Sequence, residues 1–136
     1  MVIVILGILA AVALPKFADI GGDARRAAIH AAGSSLTAVS TMTHGKSLIN
    51  GSLTAPVDME GVAVAMVVGY PSSATTTSDA AGLSVDDWTI KVNGRDLIVS
   101  PKSSATLTNC KATYSEATSV SGVVTPAVVV VVDTGC

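Results

Sequence analysis

The sequence predicts an α+β domain: a long N-terminal helix packed on a mostly antiparallel sheet of about four strands. Three observations carry this. No polar or charged side chain occurs before Lys16. From there to about residue 44, apolar residues recur every three or four positions. Beyond it, β-branched runs bounded by Gly, Pro and Asn replace that period. Helix and strands that are segregated along a chain, rather than alternating, favour hairpin-linked antiparallel pairing.

A chain of 136 residues suits one domain. Its parts read as an apolar half-helix (1–15), an amphipathic half-helix (16–44) and a β head (45–136) whose last portion is 110–136. Charged residues are only 13 %, against about 25 % in a typical domain. Aromatics are 3 %, so the core must be built from small and branched side chains that each bury little area. The net charge is −2, and the eight Lys and Arg form no run. Binding nucleic acid needs clustered cations to displace counterions, so nucleic acid is excluded as a main partner.

A helix apolar on every side must be covered by protein or lipid. Residues 1–14 would span about 21 Å as a helix, short of the roughly 30 Å of a bilayer core. The segment therefore reads as the inner part of a longer apolar helix. Its candidate packing residues are Val2, Ile3, Val4, Ile5, Leu6, Ile8, Leu9, Val12 and Leu14. Gly7 weakens the helix, and Pro15 lacks the N–H that would continue it, which predicts a kink or opened turn. The other reading is a secretory signal peptide: Ala11-Val12-Ala13 is an A-x-A site, although no basic region precedes the apolar core.

Beyond Pro15, the residues Phe17, Ile20, Ala24, Ala27, Ala28 and Ala31 form one stripe, continued after a slip at residues 33–35 by Leu36 and Val39. This stripe is expected to meet the sheet. Asp19, Asp23, Arg25 and Arg26 take the other face, with Asp23 and Arg26 spaced to pair. Gly45 predicts the helix end. Residues 46–60 read as a loop with a turn at Asn50-Gly51, and 62–70 as a strand buried on both faces, with a short helix as the alternative. Residues 72–78 read as a polar surface loop. Strands 88–92 and 97–100 flank Asn93-Gly94, a hairpin signal because both residues accept positive φ. Residues 109–115 alternate weakly, and 127–132 read as a buried strand of valines. By elimination, 72–78 and 115–125 are the candidate outward surface.

No catalytic constellation emerges, and a non-enzyme is expected. The sequence holds no nucleophile elbow, phosphate loop or dinucleotide glycine pattern. His30 and His44 are fourteen residues apart, about 21 Å along a helix, and cannot share a metal. Asp86-Asp87 lacks the six to eight oxygens that calcium takes and reads as a solvated turn. No cofactor is implied. Cys110 and Cys136 have no C-x-x-C context. They read as a disulfide of an exported protein, with two buried free thiols as the alternative.

Residues 2–17, V-I-V-I-L-G-I-L-A-A-V-A-L-P-K-F, resemble the N-terminal helix of type IV pilins in the order of apolar residues, Gly7, the Ala10-Ala11 pair and Pro15. The continuation F-A-D-I-G-G-D-A-R-R-A, Gly69-Tyr70-Pro71 and Asp87-Trp88 are similar to the mannose-sensitive haemagglutinin pilins. The family's helix starts earlier, with a methylated Phe and a nearby Glu, so this chain would begin about seven residues inside it, matching the shortfall against a bilayer. The resemblance implies the pilin fold and a structural role as subunit of an extracellular type IV pilus. The subunit would sit in the inner membrane before assembly and afterwards in a helical homopolymer on the bacterial surface, serving attachment and biofilm formation. It implies an assembly platform and ATPases as partners, unwinding between Gly7 and Pro15 on packing, and a disulfide-bonded tail enclosed by Cys110 and Cys136. Two rivals stand beside it. A type II secretion pseudopilin shares the helix but typically lacks the disulfide and carries a calcium loop. A signal-peptide-bearing periplasmic binding module is the other.

Overall fold

The computed structural model describes residues 1–17, 20–102 and 108–136, with the backbone alone for 12–17. Helix α1 (Val2–Phe17) passes through Pro15. The side chains of Val12, Leu14, Pro15 and Phe17, together with Asp19, lie outside the described residues, and so does the expected kink.

Helix α2 (Ile20–Ile49) carries the head. Its buried face is Ile29, Ala32, Gly33, Leu36, Val39, Ser40, Thr43 and Ser47. That corrects the expected stripe: Leu36 and Val39 belong to it, whereas Ile20, Ala24, Ala27 and Ala31 are exposed. The apparent slip at residues 33–35 is where the sequence pattern crosses from an outer apolar stripe to the inner one. Gly33 sets the inner phase, because a Cβ there would lie 2.5 Å from Val131 Cγ2. The lower half of the face is polar yet satisfied. Thr43 Oγ1 donates to the Val39 carbonyl at 2.7 Å, and Ser47 Oγ to that of His44 at 2.8 Å. Hydroxyls bonded back to their own helix can be buried at little cost. Asp23 and Arg26 pair at 3.6 Å, as their spacing suggests.

The helix does not stop at Gly45. It ends one turn later, where Gly51 adopts φ +66°. Gly51 N bonds Leu48 O, and Ser52 N bonds Ser47 O, both at 3.2 Å, which is a Schellman stop. Part of the expected loop is thus helix, and another part is strand β1 (Val57–Met59), paired with β2 (Val62–Val64). Val57, Val64 and Met66 form a small separate core cluster.

The predicted strand over 62–70 is broken into β2, β3 (Met66–Val67) and β4 (Tyr70–Pro71). The last two form a hairpin turned at Val68-Gly69, with φ +52° and +82°. The turn docks on the end of α2: the Gly69 carbonyl accepts from His44 Nδ1 at 2.7 Å and Ser47 Oγ at 3.1 Å. A Cβ on Gly69 would lie 2.9 Å from Leu53 Cδ2. Residues 72–78 are not a surface loop either. Most enter helix α3 (Thr75–Ala80), and Ser73, Thr77 and Ser78 are buried. Thr77 and Ser78 satisfy themselves on the Ser72 and Thr75 carbonyls, so an uncharged hydroxyl-rich run went inside.

The main sheet comprises β5 (Trp88–Asn93), β6 (Asp96–Pro101), β7 (Lys111–Ser115) and β10 (Val128–Val132), in the order β10-β7-β6-β5, all antiparallel. Between the last two strands, β8 (Thr118–Val120) and β9 (Val123–Thr125) form a hairpin. The register aligns Val99 with Ala112 and Leu97 with Tyr114 on the face that meets Ile29, Ala32 and Leu36. The β5–β6 turn is Gly94-Arg95, not Asn93-Gly94. Only Gly94 has positive φ, at +60°, as expected of a type II′ turn. The alternative register would set Arg95 opposite Val92 on the apolar face. β10 is an edge strand rather than a buried one: Val129 and Val131 pack on the core, while Val128 and Val130 are half exposed.

Positive φ at Val68 is strained, because a β-branched side chain crowds the backbone there. We expect Val68→Asn to raise stability by about 1 kcal/mol, measured as a higher urea midpoint at unchanged slope.

Candidate functional site

The most unusual surface is α1. Val2, Ile3, Val4, Ile5, Leu6, Ile8 and Leu9 are each 58–85 % exposed, and nothing in the described chain covers them. A Cβ on Gly7 would meet no atom within 4 Å. Single exposed apolar residues are ordinary, but a contiguous apolar surface marks a site of association. The helix has 16 residues and runs about 24 Å; among the described residues no helix is long and apolar enough to cross a membrane.

The apolar surface continues on α2. Ile20, Ala24, Ala27, Ala31, Ala38, Met42 and Ile49 are all exposed and fall within an arc of about 60° at 3.6 residues per turn. This face lies opposite the one held by Ile29 and Leu36. The regularity in the sequence was real, but it belongs to the outside. Ile29, fully buried, was missed there, although it is the bulkiest aliphatic side chain between Gly21 and Leu36 and marks the true inward phase.

The C-terminal tail is clasped onto the same helix. Cys110 and Cys136 are joined by a disulfide with a Cα–Cα distance of 4.8 Å, which settles the choice between bonded and free thiols. Arg25 Nε donates to the Cys136 main-chain oxygen at 2.6 Å. His30 Nε2–H donates to Asp133 Oδ2 at 2.9 Å. That bond is the main reason the Asp133 carboxyl lies below its ordinary value, with the charges of His30 and Arg26 adding to it. Gly135 lies against Asn109, where a Cβ would sit 2.9 Å from the Asn109 Cβ.

The second histidine serves another contact. His44 stacks on Tyr70 with ring centroids 4.0 Å apart and gives its Nδ1–H to the Gly69 carbonyl. Deeper in, Tyr114 donates to the Pro71 carbonyl at 2.6 Å, and burial pushes its phenol well above the usual range. Asp86 sits in a turn held by Ser84 and by Lys102 on its carbonyl. Among the described residues no group of three His, Cys, Asp or Glu could hold a metal ion. Of the expected outward segments, 72–78 is largely internal, whereas 119–126 is exposed at and beyond the tip of the β8–β9 hairpin.

No protein-family model matches the chain, and no curated protein or solved structure matches it.

Two outcomes are expected for the tail. Reducing the bond, which links positions 26 apart, should lower stability by roughly 3.5 kcal/mol on the chain-entropy model, read from denaturation with and without reductant. Asp133 is titrated lower in the folded chain than its ordinary 3.8. Its stabilising contribution is therefore present above that value and lost as pH falls through the lower folded value. In an NMR titration, His30→Ala should return the Asp133 midpoint toward 3.8.

Proposed function

We propose that this chain is the structural subunit of a helical homopolymer, a type IV pilus, that assembles through α1. The observation that carries this is the bare apolar surface of Val2 to Leu9, 58–85 % exposed side chain by side chain. Burying a branched apolar side chain contributes about 1.5–3 kcal/mol. Seven of them supply on the order of 10 kcal/mol, comparable to the cost of association, about 4–15 kcal/mol. Contact between α1 of one copy and a different surface of the next is heterologous and does not close, so it propagates as a filament. The outer stripe of α2 extends the apolar surface toward the head and gives neighbouring helices small residues to pack on.

In this reading α1 rests in the inner membrane until an assembly platform and its ATPases move the subunit into the filament. The head stays outside, with the exposed hairpin at 119–126 among the segments available for attachment. Resemblance over residues 2–17 selects this family, and the Cys110–Cys136 bond favours a pilin over a secretion pseudopilin.

Leu9→Asp should abolish filaments, because an unpaired charge would be buried in their core. Ser121→Asp, in the exposed turn, should leave filament number unchanged and stability within about 0.5 kcal/mol. Electron microscopy of both variants decides between inside and outside. A chain starting at Ala24 should stay in solution without detergent and form no polymer, whereas the full chain should polymerise; a full chain that forms no polymer would show that α1 needs no cover.

A further inference from the structure

The outer side of the seam between α2 and β10 is grooved. Clefts of about 450 Å³ and 430 Å³ share Thr37 and Val129, and together run from His30 at one end to His44 at the other. Beside them lies a sheet edge that no described strand pairs with. The N–H and C=O groups of β10 that face away from β7 make no hydrogen bond among the described residues. Proteins usually guard such edges with Lys, Pro or a bulge. The opposite edge strand carries the exposed Lys91. β10 carries five consecutive valines, and its pairing with β7 runs unbroken from Val128 to Val132.

We propose that this edge pairs with β10 of a second copy, antiparallel and centred on Val130, joining two four-stranded sheets into one of eight. The strand is its own complement. Pairing about Val130 sets Val128 against Val132, Val129 against Val131 and Val130 against itself, so every position meets a β-branched neighbour. The groove has the right length: its wall from His30 to His44 runs about 21 Å, and a five-residue strand about 17 Å. The second copy's Asp133 falls opposite the uncharged Ala127. By symmetry the same holds at the other end, so no like charges meet. The half-exposed Val128 and Val130 gain cross-strand valine neighbours on the outer face. An unrelated extended peptide would use the edge but gives no reason for valine on both faces. The contact is two-fold and closes at two copies, so it is separate from the propagating α1 contact.

The test uses the full chain in dodecyl maltoside micelles. Its cysteines are all bonded, so an introduced thiol is the one available for cross-linking. In Val130→Cys the two Cα atoms would lie about 4.5–5.5 Å apart, within disulfide reach. Val92→Cys, equally exposed on β5 at 49 %, is the control. At micromolar protein, copper-phenanthroline oxidation should dimerise Val130→Cys on the order of a hundredfold faster than Val92→Cys, given the millimolar effective concentration of paired thiols. Val130→Lys, which sets like charges opposite each other, should sediment as a monomer with its melting temperature unchanged. Adding Leu9→Asp to Val130→Cys should leave the cross-link intact. Equal rates for the two thiols, an unaltered dimer in Val130→Lys, or loss of the cross-link with Leu9→Asp would each overturn the proposal; the last would make the contact a by-product of α1 packing.

Discussion

The head depends on the close approach of α2 to the sheet at Gly33. With no side chain there, the Val131 methyl reaches a position that a Cβ would contest at 2.5 Å. That approach fixes the rotation of the helix, which sends Ile29, Ala32 and Leu36 into the core and Ala24, Ala27 and Ala31 outward. It also places Arg25 and His30 where the chain returns from β10, so that the disulfide-closed tail lands on the helix rather than in solvent. A larger residue at position 33 would lift β10 and loosen all of these contacts together.

A chain with few aromatic residues must find cohesion elsewhere. Here one aromatic, Tyr114, is buried in the main core, and its hydroxyl holds the Pro71 carbonyl across the helix-facing side. Around it, Thr43, Ser47, Thr77 and Ser78 replace apolar side chains on α2 and α3, each bonded to a nearby main-chain oxygen. This packing leaves little apolar surplus, which gives the disulfide weight in the stability of the tail.

Two apolar surfaces remain uncovered by the described residues, and they differ in kind. α1 and the outer stripe of α2 offer side chains without backbone donors, a surface that accepts another helix in many rotations. β10 offers a row of backbone groups, which accepts only an extended strand in register. The first suits repeated, propagating contacts and the second a single closed one.

The sequence by itself determined the element types that rest on local physics. The all-apolar residues 1–14, the helical period that follows, the β5–β6 hairpin and the segregation into α+β are legible because each depends on neighbours within a few positions. The exposed apolar residues from Val2 to Leu9 were legible for the same reason, since no period offered them a hidden face. What only the tertiary structure decided was which side of each element is inside. The outer alanine stripe and the inner stripe on α2 are equally periodic, and Gly33 meeting Val131, nearly a hundred positions away, breaks the tie. Ser73, Thr77 and Ser78 went inside because partners on nearby carbonyls removed the cost of burial, which composition does not record. The valine run at 128–132 looks buried by hydropathy, yet it lies on an edge because strand order is set by connections between elements and not by the strand's own side chains.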